Sequence, residues 1–281
     1  MAENSASPYP EGTPCRVRAD LSDVAAGRRF YGALFGWSFT DGDDTLTEAT
    51  LGGVPVATLA RKTDGRLPTV WTVSFATPDA AALSRRITAS GGQLLTPPYP
   101  GEGPGLAALA ADPEGAVFGL WQPETREADE AGEAGEAYEV RDAREAYEAG
   151  EPDTPAPAAP ALPETPPPTP GTLAWAQLYT RDPAAADAFY GTLFHDALFG
   201  PGARPDFGRA AVADVFPAEM PPHFLVHFAS DDLDGALGAV RRLGGRVRVT
   251  PFRASYGRVA VVSDDQGASF ALLQRTPVRV K

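Results

Sequence analysis

Three blocks of sequence occur twice along this chain, in the same order and at similar spacing. "GTPCRVRADLSDVAAGRRFYGALF" (12–35) returns as "GTLAWAQLYTRDPAAADAFYGTLF" (171–194), "VSFATPDAAALSRRITASGG" (73–92) as "VHFASDDLDGALGAVRRLGG" (226–245), and "ADPEGAVFGLWQ" (111–122) as "SDDQGASFALLQ" (263–274). Such a repeat means that one unit of about 100 residues is written twice, and a unit of that size can bury a core of its own. Whatever one copy folds into, the other must fold into as well.

Between the copies the composition changes. Residues 124–151 are acidic and poor in aliphatic side chains, and residues 152–170 contain nine prolines. Neither stretch can fill a core; the first has helix formers interrupted by glycines and like charges, and the second should be extended and semi-stiff. The reading is therefore a first domain over 12–123, an acidic then Pro-rich linker over 124–170, a second domain over 171–275, and tails at 1–11 and 276–281. Segment 124–153 holds twelve acidic residues against three arginines, nine of the thirteen net negative charges, which leaves only −4 for the rest. That distribution gives no basic footprint for nucleic acid. An acidic segment with Tyr138 and Tyr147 also admits a docking role toward a protein partner. No apolar run approaches the roughly 18–20 residues of a membrane span, and the first residues, "MAENSASPYPEG", have no basic and apolar leader. A soluble, cytoplasmic protein is expected. The single cysteine, Cys15, rules out an internal disulfide framework and reads as a small buried hydrophobe.

Each copy repeats a pattern internally. Residues 15–20 alternate as a strand does, and "SDVAAGRRFYGALFG" reads as a capped amphipathic helix whose face is Phe30, Tyr31, Leu34 and Phe35. Residues 70–76 read as a strand again, and "TPDAAALSRRITASGG" as a helix with Pro78 in its first turn and Gly91 at its end. Strand candidates 54–60, 93–96, 105–110 and 116–121 follow, so each half reads as strand, helix and three strands, twice over. On this reading "FYGALF" and its counterpart Phe189, Tyr190, Leu193 and Phe194 lay a helix on a sheet, with Gly32 and Gly191 allowing close approach. The repeated motif belongs to the fold and not to catalysis.

Strand, Asp, helix, "FYGALFGW" and later "ADPEGAVFGLW" together resemble the vicinal oxygen chelate superfamily of glyoxalase I, extradiol dioxygenases, and fosfomycin and bleomycin resistance proteins. Within it the chain is most similar to the two-domain glyoxalase-like proteins of actinobacteria. The resemblance implies an α+β fold with two tandem domains, each made of two βαβββ modules forming a cup-shaped mixed sheet with helices outside and a ligand in the cup. It also implies where a metal would be held in catalytic members, by His or Glu side chains pointing into the cup. By the family's spacing those positions are Arg16, Thr72 and Gly119 in the first copy and Trp175, Leu225 and Ala271 in the second. The fourth position finds nothing acidic in 52–60, and only Asp214 or Glu219 in the second copy. Arginine stays protonated and the others offer no donor suited to such an ion. No metal and no cofactor are therefore expected.

Strand alternation puts Arg16, Arg18 and Asp20 on one face of the first strand, with Thr72 and Ser74 opposite. That cup is cationic and suits a carboxylate or phosphate, although Arg16 and Arg18 are equally suited to pairing with local carboxylates. The second copy places Trp175, Gln177 and Tyr179 there, facing Leu225 and His227, a set for a flat organic ligand. Of the three histidines, His223 lies near a strand start, His195 just past a helix, and His227 points into the second cup. His227 with Gln177, Tyr179 and Asp214 is the one conceivable improvised metal site. "GEGPG" (101–105) reads as a turn between strands, not a phosphate loop.

The expected function is metal-independent small-molecule binding of the glyoxalase or bleomycin-resistance type, in resistance, sequestration or specialised metabolism. The alternative is a divergent lyase, dioxygenase or hydroxylase-type enzyme with a non-standard site in the second domain. The expected partner is a small molecule, with no nucleic acid and no membrane, and the chain is expected to be a monomer whose duplication supplies an internal pseudo-dimer.

Overall fold

The computed structural model describes residues 10–40, 44–124, 168–194, 207–212, 216, 219–254 and 257–275. The tails before residue 10 and after residue 275, the linker from 125 to 167 with Tyr138 and Tyr147, and His195 and Asp214 lie outside the described residues.

The first half contains β1 (Pro14–Leu21), α1 (Val24–Phe35), β2 (Ser38–Phe39), β3 (Leu46–Leu51) and β4 (Val54–Arg61), then β5 (Val70–Ala76), α2 (Ala80–Ala89), β6 (Gln93–Pro100), β7 (Gly105–Ala111) and β8 (Val117–Pro123). These eight strands make one mixed sheet in the order β2-β3-β4-β1-β5-β8-β7-β6. β1 runs parallel to β4 and antiparallel to β5, and β5 runs parallel to β8, so the two βαβββ modules meet along the β1–β5 seam. The second half contains β9 (Leu173–Thr180), α3 (Pro183–Phe194), β10 (Phe207–Ala211), β11 (His223–Ala229), α4 (Leu233–Arg242), β12 (Arg246–Ala254), β13 (Gly257–Ser263) and β14 (Ser269–Arg275). Its sheet follows the order β10-β9-β11-β14-β13-β12. The fold is α+β with two curled mixed sheets. Three modules show the full strand–helix–three-strand pattern; of the third, β9, α3 and β10 are among the described residues.

Each of the four helices α1 to α4 starts on the aspartate that the repeat marks. Asp23 accepts from Ala26 N at 3.0 Å, Asp79 from Ala82 N at 2.8 Å, Asp182 from Ala184 N and Ala185 N at 3.0 Å, and Asp232 from Gly235 N at 3.0 Å. Each carboxylate thereby satisfies N–H groups that the first helical turn leaves unpaired. Because Asp79 is the cap, Pro78 precedes the helix and is not in its first turn as its spacing suggested. At the far end of α1, Gly36 takes φ +74°, the left-handed conformation that ends a helix at little cost only for glycine.

The strands alternate as expected: Val17, Ala19 and Leu21 are buried on the helix side of β1, while Arg16, Arg18 and Asp20 occupy the opposite face. The aromatic face of α1 does more than cover its own sheet. Phe35 meets Phe228 at 5.0 Å, Trp71 meets Phe228 at 5.1 Å and Tyr31 meets Phe270 at 5.9 Å, while Phe75 meets both Phe194 (5.3 Å) and Phe224 (5.4 Å). The helix-bearing sides of the two sheets thus share one continuous apolar core. Of the glycines expected to permit close approach, Gly32 faces Trp37 O and Phe39, but a side chain at Gly191 would meet open space. The tight site is Gly27, where a Cβ would collide with Leu21.

Two polar clasps cross this core. Asp264, in the "SDDQG" turn, accepts from Gln266 N (2.9 Å) and Ala268 N (2.8 Å) with one oxygen and from the Tyr31 hydroxyl (2.8 Å) with the other. Asp112, in "ADPEG", accepts from Glu114 N (2.9 Å), Ala116 N (2.8 Å) and the Tyr190 hydroxyl (3.1 Å). The fourth residue of each turn joins in: Gln266 exchanges two 2.8 Å hydrogen bonds with the backbone of Asp23, and the Glu114 carboxylate accepts from Arg181 N at 3.0 Å and from the Thr180 hydroxyl. Each half therefore uses its last turn to hold the start and the tyrosine of the other half's first helix.

Trp71 Nε1 also donates to the Tyr31 oxygen, at 3.0 Å. Tyr31→Phe consequently strands two buried polar atoms, Trp71 Nε1 and Asp264 Oδ2, and should lower stability by about 2–6 kcal/mol at roughly 1–3 kcal/mol for each unsatisfied group. Urea unfolding of the full chain measures this, and a loss below about 0.5 kcal/mol would show that the clasp contributes little.

Candidate functional site

In the first cup the β1–β5 register sets Arg16 opposite Ser74 and Arg18 opposite Thr72, and β8 sets Gly119 beside Ser74. All four expected residues, Arg16, Arg18, Thr72 and Ser74, therefore share one face. Neither arginine projects alone. The Arg16 guanidinium lies 3.4 Å from the centroid of the buried Trp121 ring and donates to the Glu102 carbonyl at 2.6 Å. Arg18 donates through Nε to Asp20 at 3.0 Å and through its terminal nitrogen to the Glu102 carboxylate. Arg18 is thus paired with Asp20 and Glu102 in this structure.

Glu102 comes from "GEGPG", the turn between β6 and β7. A Cβ on Gly105, at φ +151°, would stand 2.7 Å from the Trp121 ring, and one on Gly101 would collide with the same ring. Those glycines let the turn lie against the tryptophan. Trp121 and Glu102 were not singled out by sequence reasoning. Trp121 was legible in principle, two residues beyond Gly119 on the same face of a strand, whereas nothing in the sequence aims Glu102 at an arginine 84 positions away.

The second cup has a different lining. Trp175 stands opposite His227, Gln177 opposite Leu225 and Tyr179 opposite His223, with Ala271 of β14 beside His227. All four expected residues here, Trp175, Gln177, Tyr179 and His227, are buried, and an apolar cluster of Val212, Leu225, Val259, Val261 and Leu273 surrounds Tyr179. Trp175 sets its ring edge-on to His227 at 5.0 Å. Tyr179 stacks on His223 at 5.5 Å and meets Phe216 edge-on at 4.8 Å. His223, set aside by position alone, belongs to this face. The His227 Nδ1 lies 3.0 Å from the Leu225 carbonyl, which can only accept, so Nδ1 carries the proton and Nε2 presents a lone pair. Among the described residues Nε2 is buried without a hydrogen-bond partner. Burial pushes the His227 pKa down to about 3, outweighing the hydrogen bond to Leu225, so the ring is neutral at physiological pH.

The metal positions implied by the fold do not fit a metal. Arg16 is engaged by Trp121 and Glu102, and Thr72 is a single weak donor. At Gly119 a Cβ would collide with Ser74 Oγ, so a side chain there would require Ser74 to move. Trp175, Leu225 and Ala271 offer no ligand, and Glu219 is exposed. Among the described residues no three His, Cys, Asp or Glu side chains gather as a metal site would require. Cys15 does not substitute: its Sγ lies 3.5 Å from the Ser74 carbonyl, and burial pushes the thiol pKa up to about 12, too high for a reactive thiolate.

Two measurements follow from this geometry. Gly119→Ala should cost about 1–3 kcal/mol through overpacking against Ser74, and Ser74→Gly in the same chain should recover most of that loss; absence of recovery would place the strain elsewhere. For His227, the folded pKa lies below the unfolded one, so between about 6.5 and about 3 the unfolded chain binds more protons and stability falls as pH falls. Asp112 and Asp264, raised chiefly by burial, act in the opposite sense on acidification, so the wild type must be compared with His227→Leu. The difference between the two proteins should change by up to about 1.4 kcal/mol per pH unit across that window, and a flat difference would show that His227 is solvated.

Residues 16–121 match the glyoxalase-like domain family. Over almost its whole length the chain is similar to the putative glyoxylase CFP32 of Mycobacterium tuberculosis, at 30% identity over 290 residues covering 96% of this chain and 98% of the relative. It is also similar to the anthracycline biosynthesis protein DauV of Streptomyces sp. (strain C5), at 27% identity with 95% and 94% covered. Among solved structures, the Mn(II)-bound glyoxalase from Novosphingobium aromaticivorans superposes with a TM-score of 0.55 at 13% identity, covering 95% of this chain and 84% of that one. The 2,3-dioxygenase LapB from Pseudomonas sp. KL28 superposes with a TM-score of 0.52 at 14% identity, covering 94% and 92%. At these identities the structures speak to the fold alone, which is that of the two-domain vicinal oxygen chelate proteins. No helix among the described residues is long and apolar enough to cross a membrane. The duplicated βαβββ architecture, the matched domain and the full-length relative lead to one assignment: the chain belongs to the glyoxalase-like family of the vicinal oxygen chelate superfamily.

Proposed function

We propose that this protein binds a small organic molecule without a metal, in a resistance, sequestering or accessory role in specialised metabolism. It would act as a cytoplasmic monomer whose domains 12–123 and 171–275 flank the 124–170 linker, with neither nucleic acid nor membrane as partner. The observation that carries the reading is the chemistry of the cup faces. Where metal-dependent relatives of this fold need His or Glu, the chain has Arg16, Thr72 and Gly119 in one cup and Trp175, Leu225 and Ala271 in the other, with Ser74 set against Gly119. Around them stand side chains suited to recognising a molecule: Arg16, Arg18, Thr72 and Ser74 in the first cup, and Trp175, Gln177, Tyr179 and His227 in the second. A relative named for anthracycline biosynthesis supports the specialised-metabolism branch.

In the second cup His227 has a defined part. Its Nδ1–H is committed to Leu225 and its Nε2 lone pair is free to accept, so it selects a ligand that brings a donor, such as a hydroxyl on a flat apolar body. The same unpartnered Nε2 is what favours the second reading, an enzyme with a non-standard site. Against that reading, a ring held neutral far below its usual pKa is a poor proton acceptor near pH 7, since catalytic bases are tuned toward the working pH.

The deciding experiment strips the full chain with chelator, reconstitutes it with Fe(II), Mn(II), Ni(II) and Zn(II), removes the excess and measures metal by elemental mass spectrometry. No near-stoichiometric retention is expected. Retention that vanishes in His227→Ala would overturn the proposal and direct attention to lyase and oxygenase chemistry.

A further inference from the structure

The turn at 101–104 carries a detail that its role as a connector does not require. Gly101 N and Gly105 O close it with a 2.9 Å hydrogen bond, and this alone would let β6 return as β7. The turn nevertheless reaches to β1. Glu102 gives its carboxylate to Arg18 and its carbonyl oxygen to Arg16. At the tip Gly103 takes φ +93°, 3.5 Å in Cβ terms from the Arg16 guanidinium, a conformation that favours glycine. The turn joins the edge strand β6 to its neighbour, and the β6–β7 register slips twice, between Leu94 and Thr96 and between Thr96 and Tyr99. The ion pair is not deeply buried: the Arg18 and Glu102 side chains are 35% and 30% exposed. A surface pair in such a setting contributes little to stability, on the order of 0–1 kcal/mol, so it can be exchanged for another of equal quality.

The geometry points to Arg18 and Arg16 as a carboxylate subsite of the first cup, filled in this state by the chain's own Glu102, so that a ligand carboxylate enters by displacing that side chain and turn. This rests on the reading of the cups as small-molecule sites and adds to it a ligand class for the first one. Displacement conserves charge, because the ligand brings the negative charge that Glu102 withdraws to solvent, and the terminal nitrogen of Arg18 keeps a carboxylate oxygen as its acceptor. A monoanionic carboxylate fits better than a dianionic phosphate because Asp20 already occupies Arg18 Nε and would repel a second charge. The flat body of such a ligand would lie along the face shared by Arg16 and Trp121, where a guanidinium stacked on an indole presents a planar surface. Affinity for the free ligand is reduced by the occupancy of Glu102, as for any site whose competent state must be uncovered first.

The test compares 2-naphthoate with 2-naphthol, its neutral analogue, by equilibrium dialysis against the full chain, with thermal melting to check each variant's fold. Glu102→Gln should tighten 2-naphthoate by about tenfold or more, some 1.4 kcal/mol, and leave 2-naphthol unchanged. Glu102→Asp, which keeps the charge on a shorter arm, should fall between. Arg18→Lys, which keeps the charge but not the fork, should abolish the gain in the double variant with Glu102→Gln. Equal tightening of both probes, no tightening, or a gain that survives Arg18→Lys would overturn the inference. If 2-naphthol binds and only the Glu102 effect is missing, this subsite fails while the cup-binding reading stands. If neither probe binds any variant, both fail together.

Discussion

The structure depends on a reciprocal pair of buried hydrogen bonds, Tyr31 to Asp264 and Tyr190 to Asp112. Each tyrosine is sealed in an aromatic core and each aspartate already holds its own turn through two backbone N–H groups. Burial raises the pKa of all four groups, which favours the proton staying on the phenol and makes any lost partner costly. Since the donor is always in one half and the acceptor in the other, neither half completes its own first helix or its own last turn. The aromatic packing between Phe35, Trp71, Phe228 and Phe270 supplies apolar contact, but the clasps fix which surfaces meet and in what orientation.

That arrangement also decides where function can reside. A curled sheet has two sides, and here the helix-bearing sides are consumed by the shared core. The opposite faces, carrying Arg16 and Arg18 in one half and Trp175 and His227 in the other, are released from the demands of folding the repeat. The repeated blocks accordingly agree at the caps, the tyrosines and the turns, and disagree on alternate residues of β1 and β9. Conserving one face of a strand while changing the other is possible because neighbouring side chains point in opposite directions.

Most of the fold was legible in the sequence. The strand–helix order, the capping aspartates and the buried face of β1 follow from local periodicity and from side chains that bond within three residues. The cup faces were legible for the same reason, which is why Arg16 with Ser74 and Trp175 with His227 stand where alternation put them. What escaped is non-local. The partners of Tyr31 and Tyr190 lie 233 and 78 positions away, so "SDDQG" and "ADPEG" read only as parts of a repeated block when they are also acceptors. Glu102 escaped because a turn's tip has no periodicity to aim it, and His223 because its ring is placed by Tyr179 and Phe216 rather than by its position at a strand start. Gly191 misled because it matches Gly32 in the repeat without sharing its neighbours.

The covalent joining of the two halves has a consequence for how such a protein changes over generations. In a dimer of identical chains a substitution in one pocket is made in both, so each pocket is held to whatever the other must do. With both halves encoded in one chain, the Arg–Glu–Trp arrangement of one cup and the buried imidazole of the other can drift apart codon by codon, while the shared tyrosine–aspartate contacts stay under common selection. The two cup linings can thereby diverge within one gene while the contacts that join the halves are kept.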